Sequence, residues 1–146
     1  MPKKKSVNIL IVEDDPGHQV LIQDNLKKAG IINTLFTAKD GQEALDFIYH
    51  QGDYQDEKKS PTPGLILLDI NMPQVDGFEV LEKLKKDEKL KKIPVIMLTT
   101  TDSQREIDKS YQLGANSYIT KPVDFREFQN MIKNLGMFLD IVSFPD

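Results

Sequence analysis

The chain has 146 residues, 39% of them hydrophobic, which is enough for one domain with a substantial buried core. It contains no cysteine, so disulfides and thiolate metal sites are excluded and a reducing, cytoplasmic setting is expected. The net charge of −4 argues against electrostatic binding to nucleic acid. No apolar span approaches membrane length, so we expect no membrane association.

The first predicted elements are a strand and a helix. Residues 7–12 form an apolar run typical of a buried strand, and residues 16–28 predict a helix that ends at Gly30. We expect one side of this helix to pack inward through three residues, Val20, Leu21 and Leu26.

Three acidic residues, Glu13, Asp14 and Asp15, separate this strand from this helix. Asp15 precedes Pro16, and Asp at the N-cap followed by Pro at the first helical position is a common helix start. We therefore expect Asp15 to cap the helix rather than to bind a ligand.

The second strand is predicted over residues 34–37, and residues 40–43 then have the spacing of a capping box. The helix that follows should turn three residues inward, Ala44, Leu45 and Ile48. A polar insert at residues 52–64 is rich in turn formers, and its simplest interpretation is a tolerated surface loop.

The third strand ends on an aspartate. Residues 65–68 are all Leu or Ile, as in a strand buried on both faces of a parallel sheet, so Asp69 stands at its carboxyl end. In open α/β sheets that edge binds ligands. A helix over residues 77–86 should follow and bury Phe78, Val80, Leu81 and Leu84.

The remaining elements repeat this alternation. The run 93–98 predicts a fourth strand ending on Thr99, and a short fifth strand around residues 118–120 leads to Lys121. The helix between them, residues 103–113, has the poorest apolar face, with Ile107, Tyr111 and Leu113, and should be easily displaced.

The last helix carries more apolar surface than one face can bury against its sheet: Phe128, Met131, Ile132, Leu135, Leu139 and Val142, followed by apolar residues in the extension 136–146. This surplus would either cover the sheet edge or form an interface. The alternation as a whole predicts an α/β domain, a doubly wound parallel sheet with helices on both faces.

Acids, a hydroxyl and a lysine thus converge from four strand ends. Crowded carboxylates resist ionising together without a cation, and hard oxygen ligands favour Mg²⁺. A lysine and a Thr hydroxyl suit phosphate oxygens, so Asp69, Thr99 and Lys121 have the chemistry of a phosphoryl-transfer site. Asp69 would be the nucleophile, because a carboxylate can form an acyl phosphate.

The order and spacing of these motifs resemble the receiver domains of two-component response regulators. The matching residues are Glu13 and Asp14, Asp69 with Met72-Pro73 and Asp76-Gly77 behind it, Thr99, Tyr118, and Lys121-Pro122. The resemblance covers nearly the whole chain. It implies a flavodoxin-like and CheY-like fold of five strands in the order 2-1-3-4-5 with five helices.

The resemblance also implies individual roles. Asp69 would accept the phosphoryl group, Asp14, Asp69 and the main-chain carbonyl of Asn71 would bind Mg²⁺, and Glu13 would act through a coordinated water. Thr99 and Lys121 would contact phosphoryl oxygens, Tyr118 would turn inward as a switch, and the Lys121–Pro122 bond would be cis.

The implied protein is a signalling protein, not an enzyme acting on outside substrates; it would catalyse only its own phosphorylation and dephosphorylation. The donor would be a histidine kinase or a phosphotransfer protein. The insert 52–64 and the aromatic tail loosely resemble the stand-alone regulators of bacterial and cyanobacterial phytochromes, which favours a phytochrome or other hybrid kinase and a homodimer through the C-terminal helix region.

The whole chain, residues 1–146, is expected to form one receiver domain without an effector domain, preceded by a solvated basic arm at residues 1–6. Three alternatives remain. A degenerate receiver could act as an adaptor. A metal-dependent aspartyl-phosphate phosphatase would want an acid where Asn71 stands, and a flavin carrier would want a Ser/Thr/Gly-rich phosphate loop where the chain has Glu13 and Asp14.

Overall fold

The structure is a computed structural model that describes residues 8–100, 103–121 and 124–135. Within these ranges strands and helices alternate in the order β1 (Ile9–Val12), α1 (Pro16–Lys28), β2 (Leu35–Ala38), α2 (Gly41–Tyr49), β3 (Leu65–Asp69), α3 (Gly77–Lys86), β4 (Val95–Thr99), α4 (Gln104–Gln112), β5 (Ser117–Thr120) and α5 (Phe125–Leu135). All strand pairs are parallel, in the order β2-β1-β3-β4-β5. The predicted fold class and strand order are confirmed.

The central strands are buried on both faces, as their apolar runs predict. Successive residues point to opposite sides of the sheet, so each strand contributes to two cores. One core joins the strands to α1 and α5 and includes Ile9, Ile11, Leu65, Leu67, Ile96, Leu98 and Phe128. The other joins them to α2 and α3 and includes Leu10, Val12, Ile66, Leu68, Met97, Phe47 and Leu81.

The inward face of α1 differs from the prediction. Ile22 and Leu26 are buried, whereas Val20 and Leu21 are 56% and 52% exposed. Residues four apart share one side of a helix, but Val20 and Leu21 lie one to two residues before Ile22 and are rotated away from it. The assignment of Val20 and Leu21 to the packed side was therefore wrong.

Helices α2 and α3 begin in the same way. The carboxylates of Asp40 and Asp76 accept hydrogen bonds from the backbone N–H groups of the residues three positions later, at 2.7 and 2.9 Å. The inward residues of α2 are buried as predicted, and those of α3 are too, except that Phe78 is only partly buried.

Both helices also begin with a glycine that the loop between β3 and α3 approaches closely. A Cβ atom on Gly41 would overlap the carbonyl oxygen of Val75, and one on Gly77 would overlap the carbonyl oxygen of Asp69. The loop after Asp69 is thus held at both ends by backbone contacts that only glycine permits.

The polar insert is anchored to the core rather than extended into solvent. It contains a 3-10 helix at Gly52–Tyr54, and the Tyr54 ring packs on Phe47 with centroids 5.2 Å apart. The Tyr54 hydroxyl donates to Glu43 Oε1 at 3.2 Å. The fully buried Ser60 hydroxyl donates to the Tyr54 carbonyl at 3.1 Å, and its oxygen lies 3.0 Å from His50 Nδ1.

The two last helices pack very differently. In α4 the one buried residue is Ser110, which confirms that this helix has the poorest apolar face. In α5 Phe128 is fully buried, and the Gln129 amide donates to the Ala29 carbonyl at 2.7 Å.

Strands β2 and β4 start later than predicted, and Pro94, which has no N–H to donate, precedes β4. Three predictions fall outside the described residues: the basic arm at residues 1–6, the cis bond before Pro122, and the extension 136–146.

Candidate functional site

An acidic cluster lies at the carboxyl edge of the sheet. Glu13 follows β1 directly, and Asp69 is the last residue of the neighbouring β3, whose Leu68 pairs with Val12. Carboxylate oxygens of Glu13, Asp14 and Asp69 lie within 4.8 Å of one another. Glu13 and Asp69 are buried and Asp14 is exposed, so the cluster is open to solvent on one side.

Lys121 extends into this cluster from the end of β5. Its Nζ donates to Glu13 Oε2 at 2.8 Å and lies 3.3 Å from Asp69 Oδ2. Burial of the ammonium opposes its charged form, but the hydrogen bond to Glu13 and the charges of Asp69 and Glu13 outweigh it and raise the pKa of Lys121. One positive charge is therefore fixed beside two buried carboxylates.

The carboxyl group of Asp69 is poorly stabilised as an anion. Burial, followed by the charge of Glu13, raises its pKa to about 7, although Lys121 acts in the opposite direction. The buried carboxylates carry more negative charge than Lys121 alone compensates. Three hard oxygen donors with this excess of negative charge fit a divalent cation such as Mg²⁺.

Glu13 is already held by the protein on both oxygens. Oε2 accepts from Lys121, while Oε1 accepts from the backbone N–H of Asp15 at 3.1 Å and lies 3.5 Å from His18 Nδ1. The position of Glu13 is therefore fixed mainly by protein contacts.

Asp15 caps α1, as predicted. Its Oδ1 accepts from the backbone N–H of His18 at 3.0 Å, and this hydrogen bond lowers the pKa of Asp15. Asp15 is exposed and its carboxylate is not part of the acidic cluster. The structure thus separates the cap from the pair Glu13 and Asp14.

Thr99 lies at the same edge, one strand further on. It is the last residue of β4, it is buried, and its carbonyl accepts from the Lys121 N–H at 2.7 Å. Its hydroxyl donates to Glu106 Oε2 at 3.2 Å. The sequence interpretation missed Glu106, although a glutamate seven residues after Thr99 falls in the first turn of the next helix.

Tyr118 is half-buried on β5 and packs against α4. Its ring meets the ring of Tyr111 edge to face, with centroids 6.1 Å apart and an interplanar angle of 81°. Thr99 and Tyr118, the two residues expected to act as switches, therefore both contact α4.

The loop after Asp69 folds back over the nucleophile candidate. The Asn71 N–H points to Asp69 Oδ1 at 3.4 Å, and the Gly77 N–H donates to the Ile70 carbonyl at 2.9 Å. Asn71 is exposed, so it stands at the open side of the site.

A doubly wound sheet with an acidic cluster, a lysine and a hydroxyl at its carboxyl edge is the arrangement expected of a receiver. Residues 9–133 match the family model described as the response regulator receiver domain. The chain belongs to this family and is a signalling protein.

Several characterised relatives are stand-alone regulators. The chain is 39% identical over 138 residues to response regulator Rcp1 of Synechocystis sp., covering 94% of this chain and 92% of Rcp1. A solved structure shows Rcp1 in a Mn²⁺-bound form, with 38% identity and a TM-score of 0.75 over 96% of this chain and 99% of that one. Receiver domains bind Mg²⁺ or Mn²⁺ in an acidic pocket such as this one.

Two further structures belong to phytochrome regulators. The bacteriophytochrome response regulator RtBRR is 37% identical, with a TM-score of 0.83 over 92% of this chain and 80% of that one. The phosphorylated cyanobacterial phytochrome response regulator RcpA is 35% identical, with a TM-score of 0.77 over 97% and 100%. In the part of this chain that the structure describes, no helix is long and apolar enough to cross a membrane.

Proposed function

We propose that the chain is a response regulator that accepts a phosphoryl group on Asp69 in an Mg²⁺-dependent reaction. One observation carries this proposal: Asp69 shares a compact cluster with Glu13 and Asp14, and Lys121 Nζ lies 3.3 Å from its Oδ2. Membership in the receiver family and the likeness to a regulator solved in its phosphorylated form support it.

The donor would be a phosphohistidine of a histidine kinase or a phosphotransfer protein. An ionised oxygen of Asp69 attacks phosphorus, an O–P bond forms, and the P–N bond breaks as the imidazole nitrogen takes the electron pair. Lys121 then compensates charge on the phosphoryl oxygens, and the Thr99 hydroxyl donates to one of them. Both groups already stand at the edge of the sheet where Asp69 lies.

Asp14, Asp69 and the main-chain carbonyl of Asn71 would hold the Mg²⁺, and Glu13 would act through a coordinated water. The ion supplies positive charge that keeps Asp69 ionised and neutralises transferring phosphoryl oxygens. The bonds that Glu13 already makes to Lys121 and to the Asp15 N–H support its indirect role.

The output would be a population shift of α4, driven through Thr99 and Tyr118, that changes protein contacts in the cytoplasm. We take residues 1–146 as one receiver domain. The likeness to Rcp1, RtBRR and RcpA favours a phytochrome-type or other hybrid histidine kinase as donor. The apolar C-terminal helix region is the proposed homodimer surface.

The chemistry is tested by incubating the protein with acetyl phosphate and Mg²⁺ and measuring its intact mass. The wild type should gain one phosphoryl group, and a chelator should prevent the gain. Asp69→Asn should gain none, whereas Asp24→Asn, a matched change on the exposed side of α1, should behave as wild type. An equal adduct on Asp69→Asn would show that the acceptor is another residue.

A second experiment addresses the donor and the assembly. An autophosphorylated phytochrome-type kinase should transfer its phosphoryl group to this protein faster than a kinase with an unrelated sensor. Light scattering with and without beryllofluoride, an analogue of the phosphoryl group, should then show whether activation favours a dimer. Equal transfer rates would reject the phytochrome partner, and a monomer in both states would reject the homodimer.

A further inference from the structure

Three side-chain contacts of helix α4 with neighbouring elements bear on its position. The Lys109 Nζ lies 4.5 Å from the centroid of the Phe78 ring, and the rings of Tyr111 and Tyr118 meet edge to face. The third contact is the hydrogen bond from the Thr99 hydroxyl to Glu106 Oε2. Ser110 is the one residue of α4 that is buried, so contacts made by half-buried and exposed side chains contribute to holding this helix in place.

The bond between Thr99 and Glu106 uses the same proton that phosphorylation would need. A threonine hydroxyl has one hydrogen and can donate it to one acceptor in a linear bond. Under the proposed function that acceptor is a phosphoryl oxygen on Asp69; in the structure it is the Glu106 carboxylate. The two acceptors therefore compete for Thr99.

We infer that Glu106 is a positioning residue that holds α4 in the unphosphorylated arrangement and is displaced when Thr99 turns to the phosphoryl group. This inference rests on the proposed function and adds to it the residue that opposes activation. Because Glu106 is only half-buried, its carboxylate can regain water when Thr99 leaves it. It also lies in the first turn of α4, where the helix dipole favours a negative charge.

The helix should survive loss of this side chain. The main-chain carbonyl of Glu106 accepts from the Ser110 hydroxyl at 2.8 Å, and this hydrogen bond does not involve the Glu106 side chain. Substitution of Glu106 should therefore remove the competing acceptor without unfolding α4.

The test is the affinity for beryllofluoride in the presence of Mg²⁺, measured by calorimetry. Glu106→Ala should bind about fivefold more tightly than wild type, since one hydrogen bond to a partly exposed charged group no longer competes. Glu106→Gln keeps an acceptor and should fall between the two. Asp108→Asn, an exposed acidic residue of the same helix, should match wild type.

A double-mutant cycle separates this role from a general effect on stability. In a Thr99→Ala background, Glu106→Ala should change the affinity no further, because the shared proton is gone. An unchanged affinity in Glu106→Ala, or an equal gain with and without Thr99, would overturn the inference. If wild type gained no phosphoryl group from acetyl phosphate, the proposed function itself would be rejected. If wild type gained the phosphoryl group but Glu106→Ala left the affinity for beryllofluoride unchanged, only the competition between Glu106 and the phosphoryl group would be rejected.

Discussion

Replacing Asp69 with Asn should stabilise the metal-free protein at pH 8 and not at pH 4. The folded state buries this carboxyl group beside Glu13, which raises its pKa from 3.8 to about 7. A carboxyl group whose pKa is raised by folding destabilises the fold when it ionises. This cost is absent below about pH 4, grows between pH 4 and 7, and is complete above pH 7.

The magnitude follows from the two pKa values. At about 1.4 kcal/mol per pH unit, ionising Asp69 costs at most roughly 4 kcal/mol, and solvent access on the open side of the cluster reduces this to about 2 kcal/mol. Asn has nearly the same shape and cannot ionise. Asp69→Asn should therefore gain about 2 kcal/mol in the free energy of unfolding at pH 8.

Urea denaturation of both proteins at pH 4, 6 and 8, with a chelator present, measures this difference directly. Asp24→Asn serves as the control and should show no comparable trend. Addition of Mg²⁺ should then stabilise wild type more than Asp69→Asn, because the variant lacks one metal ligand. A difference that is independent of pH would refute the electrostatic reasoning, since only the ionised form of Asp69 is penalised.

Four further substitutions test other parts of the site. Gly77→Ala forces a Cβ atom onto the Asp69 carbonyl. The variant should lose about 2 kcal/mol in the free energy of unfolding measured with urea, and its phosphorylation should be slower. Wild-type values in both assays would contradict the close approach. Asp15→Ala should lower stability by loss of the helix cap and leave Mg²⁺ binding intact, whereas Asp14→Asn should weaken Mg²⁺ binding. The reverse result by calorimetry would reassign the acid pair. In a decay assay, the phosphoryl group on Thr100→Ala should be hydrolysed faster than that on wild type, because the exposed Thr100 side chain next to Thr99 restricts the access of water to it. An equal rate would exclude that role.

The sheet and the acidic edge were predictable because uninterrupted apolar runs mark the strands. All five residues of β3 are buried, so the position of Asp69 at the strand end follows from the sequence alone. The helix starts at Asp15 and Asp40 were predictable for a similar reason, because capping depends on residues within one turn.

Features that depend on how a helix is rotated or packed were harder to predict from the sequence. Four apolar residues in α1 do not reveal which side faces the sheet, so Val20 and Leu21 were misplaced. Predicting the contact between Thr99 and Glu106 requires the position of α4 relative to the sheet, and the poor apolar face of this helix does not define that position. The polar insert has no periodicity, and its composition does not indicate that Ser60 is buried and hydrogen-bonded to Tyr54 and His50.

The anchored insert allows part of the molecular surface to vary independently of the site at the carboxyl edge of the sheet. Tyr54 attaches it to Glu43 of α2, and Ser60 attaches it to His50 directly after α2, whereas residues 55–59 between them are exposed. Substitutions at residues 55–59 would therefore alter the surface presented beside α2 without moving a strand. Related proteins could therefore differ in this surface, and so in the partners that they recognise, while the residues at the carboxyl edge of the sheet stay the same.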